Sequence, residues 1–149
     1  MRRIPALMAC AITAGALLLP SSAAAAPAEQ EAIEALNEVR RANGLAPLRE
    51  SGNLNRSSGE YARKMLRHDF FGHGPSIDVA GGFRSAGETL AYHSGWNAHP
   101  RRTVERWMNS PPHRAVLLSP GFRWIGMGLA RGRLGGSVVS TWVAHVGSR

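Results

Sequence analysis

A chain of 149 residues, 44% hydrophobic and 19% charged, has the length of one domain and the balance of a folded protein, which excludes a disordered or multidomain reading. Its formal net charge of +8 is carried by scattered arginines, in no run longer than a pair. No recognition-helix or RNA-binding motif accompanies that charge, so nucleic acid is excluded as a partner. The excess base is read first as a solvated surface, and next as complementary to acidic envelope polymers and lipid headgroups.

The first stretch stands apart from the domain. Met1-Arg2-Arg3 gives a positive start, Ile4 to Leu19 is a mostly apolar run, and Ser21 to Ala26 supplies small residues. This is the pattern of a secretory signal over residues 1–26, too short to span a bilayer. Pro27 blocks cleavage directly before it, so a cut after Ala25 or Ala28 is expected, leaving a domain over 29–149. Cys10 is the sole cysteine and lies inside this stretch. Leu7-Met8-Ala9-Cys10 resembles a lipoprotein attachment box, but its methionine and the apolar run beyond it rank lipidation below removal. The mature chain then holds no disulfide and no transmembrane segment, and core packing must stabilise it.

From Glu29 to Arg41 the spacing of Ile33, Leu36 and Val39 or Arg40 predicts a helix, with acid early and base late to suit its dipole. Asn43-Gly44 ends it, and Ala46-Pro47-Leu48 reads as an extended connector. A second helix is expected from Gly52 to His68, with Leu54, Ser58, Tyr61, Ala62, Met65 and Leu66 on one face. Ser51 would cap it, and Gly59 marks a place of close packing. Gly74 to Gly87 reads as loop, Glu88 to Tyr92 as a short strand or tight turn, and His93 to Arg101 as a polar surface connection. Thr103 to Asn109 is helical in composition, with Val104, Trp107 and Met108 on one face, and Pro111-Pro112 stops it. Two alternating strands, Arg123–Ala130 and Ser137–Val146, close the chain as a hairpin around a loose glycine-rich loop from Arg131 to Gly136. Helices early and a hairpin late predict a layered α+β domain.

Of six histidines none forms a local ligand pair, so any site must be assembled by tertiary contacts. Three polar residues have settings that aim them inward. His73 lies between glycines, Glu88 stands at the margin of an apolar run, and His113 follows the proline break and precedes Val116-Leu117-Leu118. Facing one cleft, they could hold zinc with an open position, perform acid–base chemistry, or only tie loops together by hydrogen bonds. His145, on an alternating strand, is read as structural. Trp107, Trp124 and Trp142 are read as core or half-buried, and Trp96, in a polar stretch, as free to meet a ligand or partner.

Taken in order, several segments resemble the bacterial branch of the CAP superfamily, the cysteine-rich secretory, antigen 5 and pathogenesis-related proteins with an SCP-like domain. They are Leu36 to Arg40, His73, Gly87-Glu88-Thr89-Leu90-Ala91, Trp107-Met108-Asn109-Ser110-Pro111-Pro112-His113-Arg114 and Ile125-Gly126-Met127-Gly128. The resemblance covers almost the whole mature chain. It implies an α-β-α sandwich, helices packed on a small antiparallel sheet, and a central cleft bearing two histidines and two glutamates. The first histidine falls on His73, the first glutamate on Glu88 and the second histidine on His113. The place of the second glutamate, three residues after the helix tryptophan, holds Ser110, with Asn109 beside it and Glu105 on another helix face. Thr89 stands where asparagine usually follows the glutamate.

Three functional readings follow. The leading one is a secreted binding module whose partner is a lipid, a cell-envelope glycan or a protein. It is favoured by the signal, the basic charge, the incomplete tetrad and the lack of a GxSxG serine or a mature cysteine as nucleophile. The alternative is a metal-dependent hydrolase, with a divalent metal such as zinc on His73 and His113 and Glu88 as base to its bound water. In the third, the same trio only braces loops.

Overall fold

The computed structural model of the protein describes residues 27–79 and 81–149. The segment read as a signal and Cys10 lie outside the described residues. The first helix, α1 (Pro27–Ala42), buries Ala32, Ile33, Ala35, Leu36 and, unexpectedly for a charged side chain, all of Arg40. Arg40 reaches across the core to backbone carbonyls. Its Nη1 donates to Leu117 at 2.6 Å and Ser119 at 3.2 Å, and its Nε donates to Ala46 at 3.0 Å. A guanidinium can be buried when its fork of donors meets carbonyl oxygens.

The expected connector at Ala46 to Leu48 leads into a two-residue strand, β1 (Arg49–Glu50), parallel to β3 (Trp124–Leu134). Next comes α2 (Gly52–Arg67). Ser51 holds its N-cap position, but its side chain makes no capping bond; its carbonyl accepts from Asn55 N–H at 2.9 Å. The expected loop is shorter than its glycines suggest, because β2 (Ser85–Ser94) begins before Gly87 and runs past Tyr92. His93 is therefore a strand residue, 7% exposed, and not part of a surface connection. After α3 (Pro100–Met108), the double proline does not merely stop a helix. It opens α4 (Pro111–Leu117), where the missing proline N–H groups would have had no intrahelical partner. The closing hairpin pairs β3 with β4 (Ser137–Ser148) down to Leu134 and Ser137. The loop is thus a tight turn at Gly135-Gly136, with φ of +56° and +79°, a geometry that glycine adopts without a Cβ penalty.

Among the described residues the sheet order is β1-β3-β4-β2, antiparallel except for β1. Alternation along the strands divides the core in two. Ala91, Ile125, Met127, Trp142, Ala144 and Val146 pack with α1, α3 and α4 residues, including Trp107 and Leu117. Leu90, Ala130 and Val143 pack on the other face with Ala62 and Met65 of α2. The α+β sandwich with helices on both faces of the sheet is the expected architecture.

On the α2 face, β3 presents Gly126 and Gly128. A Cβ on Gly126 would overlap the Leu54 carbonyl carbon and Asn55 N; one on Gly128 would overlap Ser58 and Gly59 backbone. Helix and strand meet main chain to main chain. Ser58 Oγ donates to Gly126 O at 3.0 Å, and Met127 N–H donates to Asn55 Oδ1 at 3.0 Å. The close approach expected at Gly59 is thus present, and it fixes where α2 lies over the sheet.

Candidate functional site

Glu88 and His145 sit opposite each other in the β2–β4 ladder, both directed toward α2. One Glu88 oxygen, Oε2, accepts from His145 Nε2 at 2.8 Å. The other, Oε1, accepts from His73 Nδ1 at 2.6 Å. On its far side His145 Nδ1 meets Ser57 Oγ, from α2, at 2.7 Å. The result is one hydrogen-bonded chain, Ser57–His145–Glu88–His73, running from a helix through the sheet to the loop after α2.

Burial depth falls along that chain. His145 is 2% exposed and the Glu88 side chain 5%, whereas the His73 side chain is 58% exposed. Burial alone would push the Glu88 carboxyl up, but the hydrogen bonds and charges of His145 and His73 outweigh it and hold the group below its ordinary value. Glu88 is therefore a carboxylate at neutral pH. Tyr61 closes the adjoining loop by donating to Gly72 O at 2.8 Å, and its phenol is pushed up by burial and by the Glu88 charge, so it remains a donor. Ser57, Tyr61, Lys64, Ser76, Glu88 and His145 are among the walls of a pocket of about 410 Å³.

The sequence placed His73, Glu88 and His113 on one cleft. The fold joins the first two directly. No hydrogen bond links His113 to either among the described residues. It lines a second pocket, of about 290 Å³, further along β2 with Leu90, Tyr92, Arg106, Ser110 and Phe71. The two imidazoles still sense each other, since His113 is lowered by its burial and then by the His73 charge. Ser110, at the place of the absent second glutamate, faces this second pocket.

Two members of the hydrogen-bonded chain were missed. His145, read as structural, is the central link. Its cross-strand partner, Glu88, is visible only once the ladder register is known. Ser57 carries no local motif at all; α2 brings it to His145 through the glycine contact with β3.

These donors can be tested against a metal. A catalytic zinc site uses three protein ligands. Among the described residues no three His, Cys, Asp or Glu side chains are grouped to hold an ion. Both Glu88 oxygens already accept from imidazoles, so His73 and His113 alone fall short of a full set.

The family model described as CAP, the cysteine-rich secretory protein family, matches residues 33–146. The chain belongs to the CAP family. YkwD of Bacillus subtilis is 33% identical over 118 residues, a match covering 73% of this chain and 44% of the relative. The CAP chain described here thus spans less than half the length of that relative. Among solved structures, an outer surface protein from Borrelia burgdorferi superposes with a TM-score of 0.66 at 23% identity, covering 82% of this chain and 92% of that one. An extracellular SCP-domain protein from Bacillus anthracis gives 0.66 at 20% identity, covering 82% and 40%. These likenesses bear out the CAP-type sandwich. No described helix is long and apolar enough to cross a membrane.

Proposed function

We propose that this CAP protein acts outside the cytoplasm as a binding module for an anionic cell-envelope glycan. The observation that carries the reading is an exposed aromatic shelf at the mouth of the His113 pocket. Phe71 and Tyr92 meet edge to face, with ring centroids 4.9 Å apart, and are 39% and 41% exposed. Large exposed aromatics beside a few convergent polar groups make a recognition surface, with the rings taking the apolar face of a ligand and the polar groups orienting it. Arg106, Ser110 and His113 are those groups here. Trp96, 59% exposed, lies two residues past the end of the same strand.

The net charge that remains once Arg2 and Arg3 leave with the signal, +6, supports an anionic ligand, and the signal pattern together with the extracellular and surface relatives supports the location. Calorimetric titration with solubilised anionic envelope polysaccharide tests the proposal. Phe71→Ala and Tyr92→Ala should each weaken binding about tenfold, the cost of losing one good aromatic contact. Added salt should weaken it further. Binding that ignores both substitutions sinks the proposal, and so does binding to anionic lipid vesicles with none to the polysaccharide.

A further inference from the structure

We propose that Ser57, His145 and Glu88 form a serine-nucleophile site for hydrolysing carboxylic esters, a chemistry beyond ligand binding and in a different pocket from the aromatic shelf. Such a nucleophile must lie within hydrogen-bond reach of a base that a third group orients. Here Ser57 Oγ lies 2.7 Å from His145 Nδ1, and His145 Nε2 lies 2.8 Å from Glu88 Oε2. The charged carboxylate takes the hydrogen on Nε2, so a ring carrying that hydrogen alone turns its Nδ1 lone pair to Ser57. The serine hydrogen has one competing acceptor, Leu54 O, at the longer distance of 3.1 Å. His73, on the second Glu88 oxygen, keeps that carboxylate from turning away. Glu88 is thus a positioning residue, while Ser57 and His145 are catalytic.

Ser57 is only half-buried and opens on the pocket of about 410 Å³, so the reacting group has room to approach. Tyr61 and Lys64 stand one and two turns further along the same face of α2, and Arg67 adds a second cation to the wall. The same wall carries the carboxylates Glu60 and Asp78, so its charge is mixed and selects neither sign of ester substituent.

In the acylation step Ser57 Oγ bonds to the acyl carbon and its proton passes to His145 Nδ1. The carbon–oxygen bond to the alcohol breaks, and the departing oxygen takes that proton. Water then gives a proton to Nδ1 as its oxygen attacks the acyl-serine. The carboxylic acid leaves, and the proton on Nδ1 returns to Ser57.

A tagged fluorophosphonate incubated with the full-length chain, followed by peptide mapping, tests the assignment. The adduct should map to Ser57 and be lost in Ser57→Ala. Glu88→Gln lets the amide donate to Nε2, moving the ring hydrogen to Nδ1 and silencing the base. Labelling should then slow at least a hundredfold, with the circular dichroism spectrum unchanged. On the wild type, p-nitrophenyl acetate should give a burst of one equivalent. Should Ser57→Ala or Glu88→Gln fail to fold, the wild-type adduct and burst decide alone. An adduct at any other residue, or no adduct on the folded wild type, overturns the proposal and leaves glycan binding at the aromatic shelf untouched.

Discussion

Acidification should destabilise this protein through one buried imidazole, His93. Its Nε2 lies 2.8 Å from Thr103 Oγ1, whose own hydrogen goes to His99 O at 2.9 Å, so His93 Nε2 is the donor. Burial first, and then the charges of Arg106, His99 and Arg102, lower it from 6.5 to about 4. An unfolded chain takes up this proton near pH 6.5, whereas the native one refuses it until about pH 4. Stability from this group is therefore complete above pH 6.5 and is lost as pH falls toward 4. The gap corresponds to ~3 kcal/mol. In a domain of this size that lowers the unfolding temperature by roughly 10 °C. The perturbation is His93→Gln, which keeps a donor for Thr103 but does not titrate. Urea unfolding followed by tryptophan fluorescence at pH 7, 6, 5 and 4 should show the wild type losing ~3 kcal/mol more than the variant. Carboxylates such as Glu88 also cost stability in acid, but equally in both proteins. Parallel losses in the two would refute the assignment of a buried, neutral His93.

Three further outcomes are expected. Gly126→Ala drives a methyl group into the α2 backbone at Leu54 and Asn55, where no flexible side chain can yield, so chemical denaturation should register a loss of about 3 kcal/mol or more, or no folded product. Arg40→Met leaves the Ala46, Leu117 and Ser119 carbonyls without their donor and should cost at least about 3 kcal/mol by the same measurement; a change within 0.5 kcal/mol would be the typical surface result and would disprove the buried role. Zinc in tenfold excess should leave the unfolding temperature unchanged, because His73 and His113 offer too few ligands; a saturable rise that His113→Ala abolishes would restore the metal reading.

Much of the architecture was legible in the chain because its signals are local. Apolar spacing gave α1 and α2, and alternation gave β3 and β4. Readings failed where a residue's role is decided by its tertiary neighbour. Pro111-Pro112 ends one helix and starts another, and a proline pair with Ser110 before it fits either role until the following turn is seen packed through Leu117. His93 has polar neighbours in sequence, yet the ladder turns it inward onto Thr103. Within the candidate site, glycine flanks and an apolar boundary marked out His73 and Glu88. His145 looks like one polar residue on a buried strand, and Ser57 like one of several serines in a helix. Only strand register and helix placement show that the two meet.

The bare stretch of β3 beneath α2 has a bearing on how this protein can change. Because the helix rests on peptide atoms there, its height over the strand beside Ser57 and His145 is held by main-chain contact, with side-chain packing adding to it further along α2. The pocket rim can be redecorated for another ligand with that height preserved. Divergence should therefore be tolerated at the walls and refused at two glycines that touch no ligand.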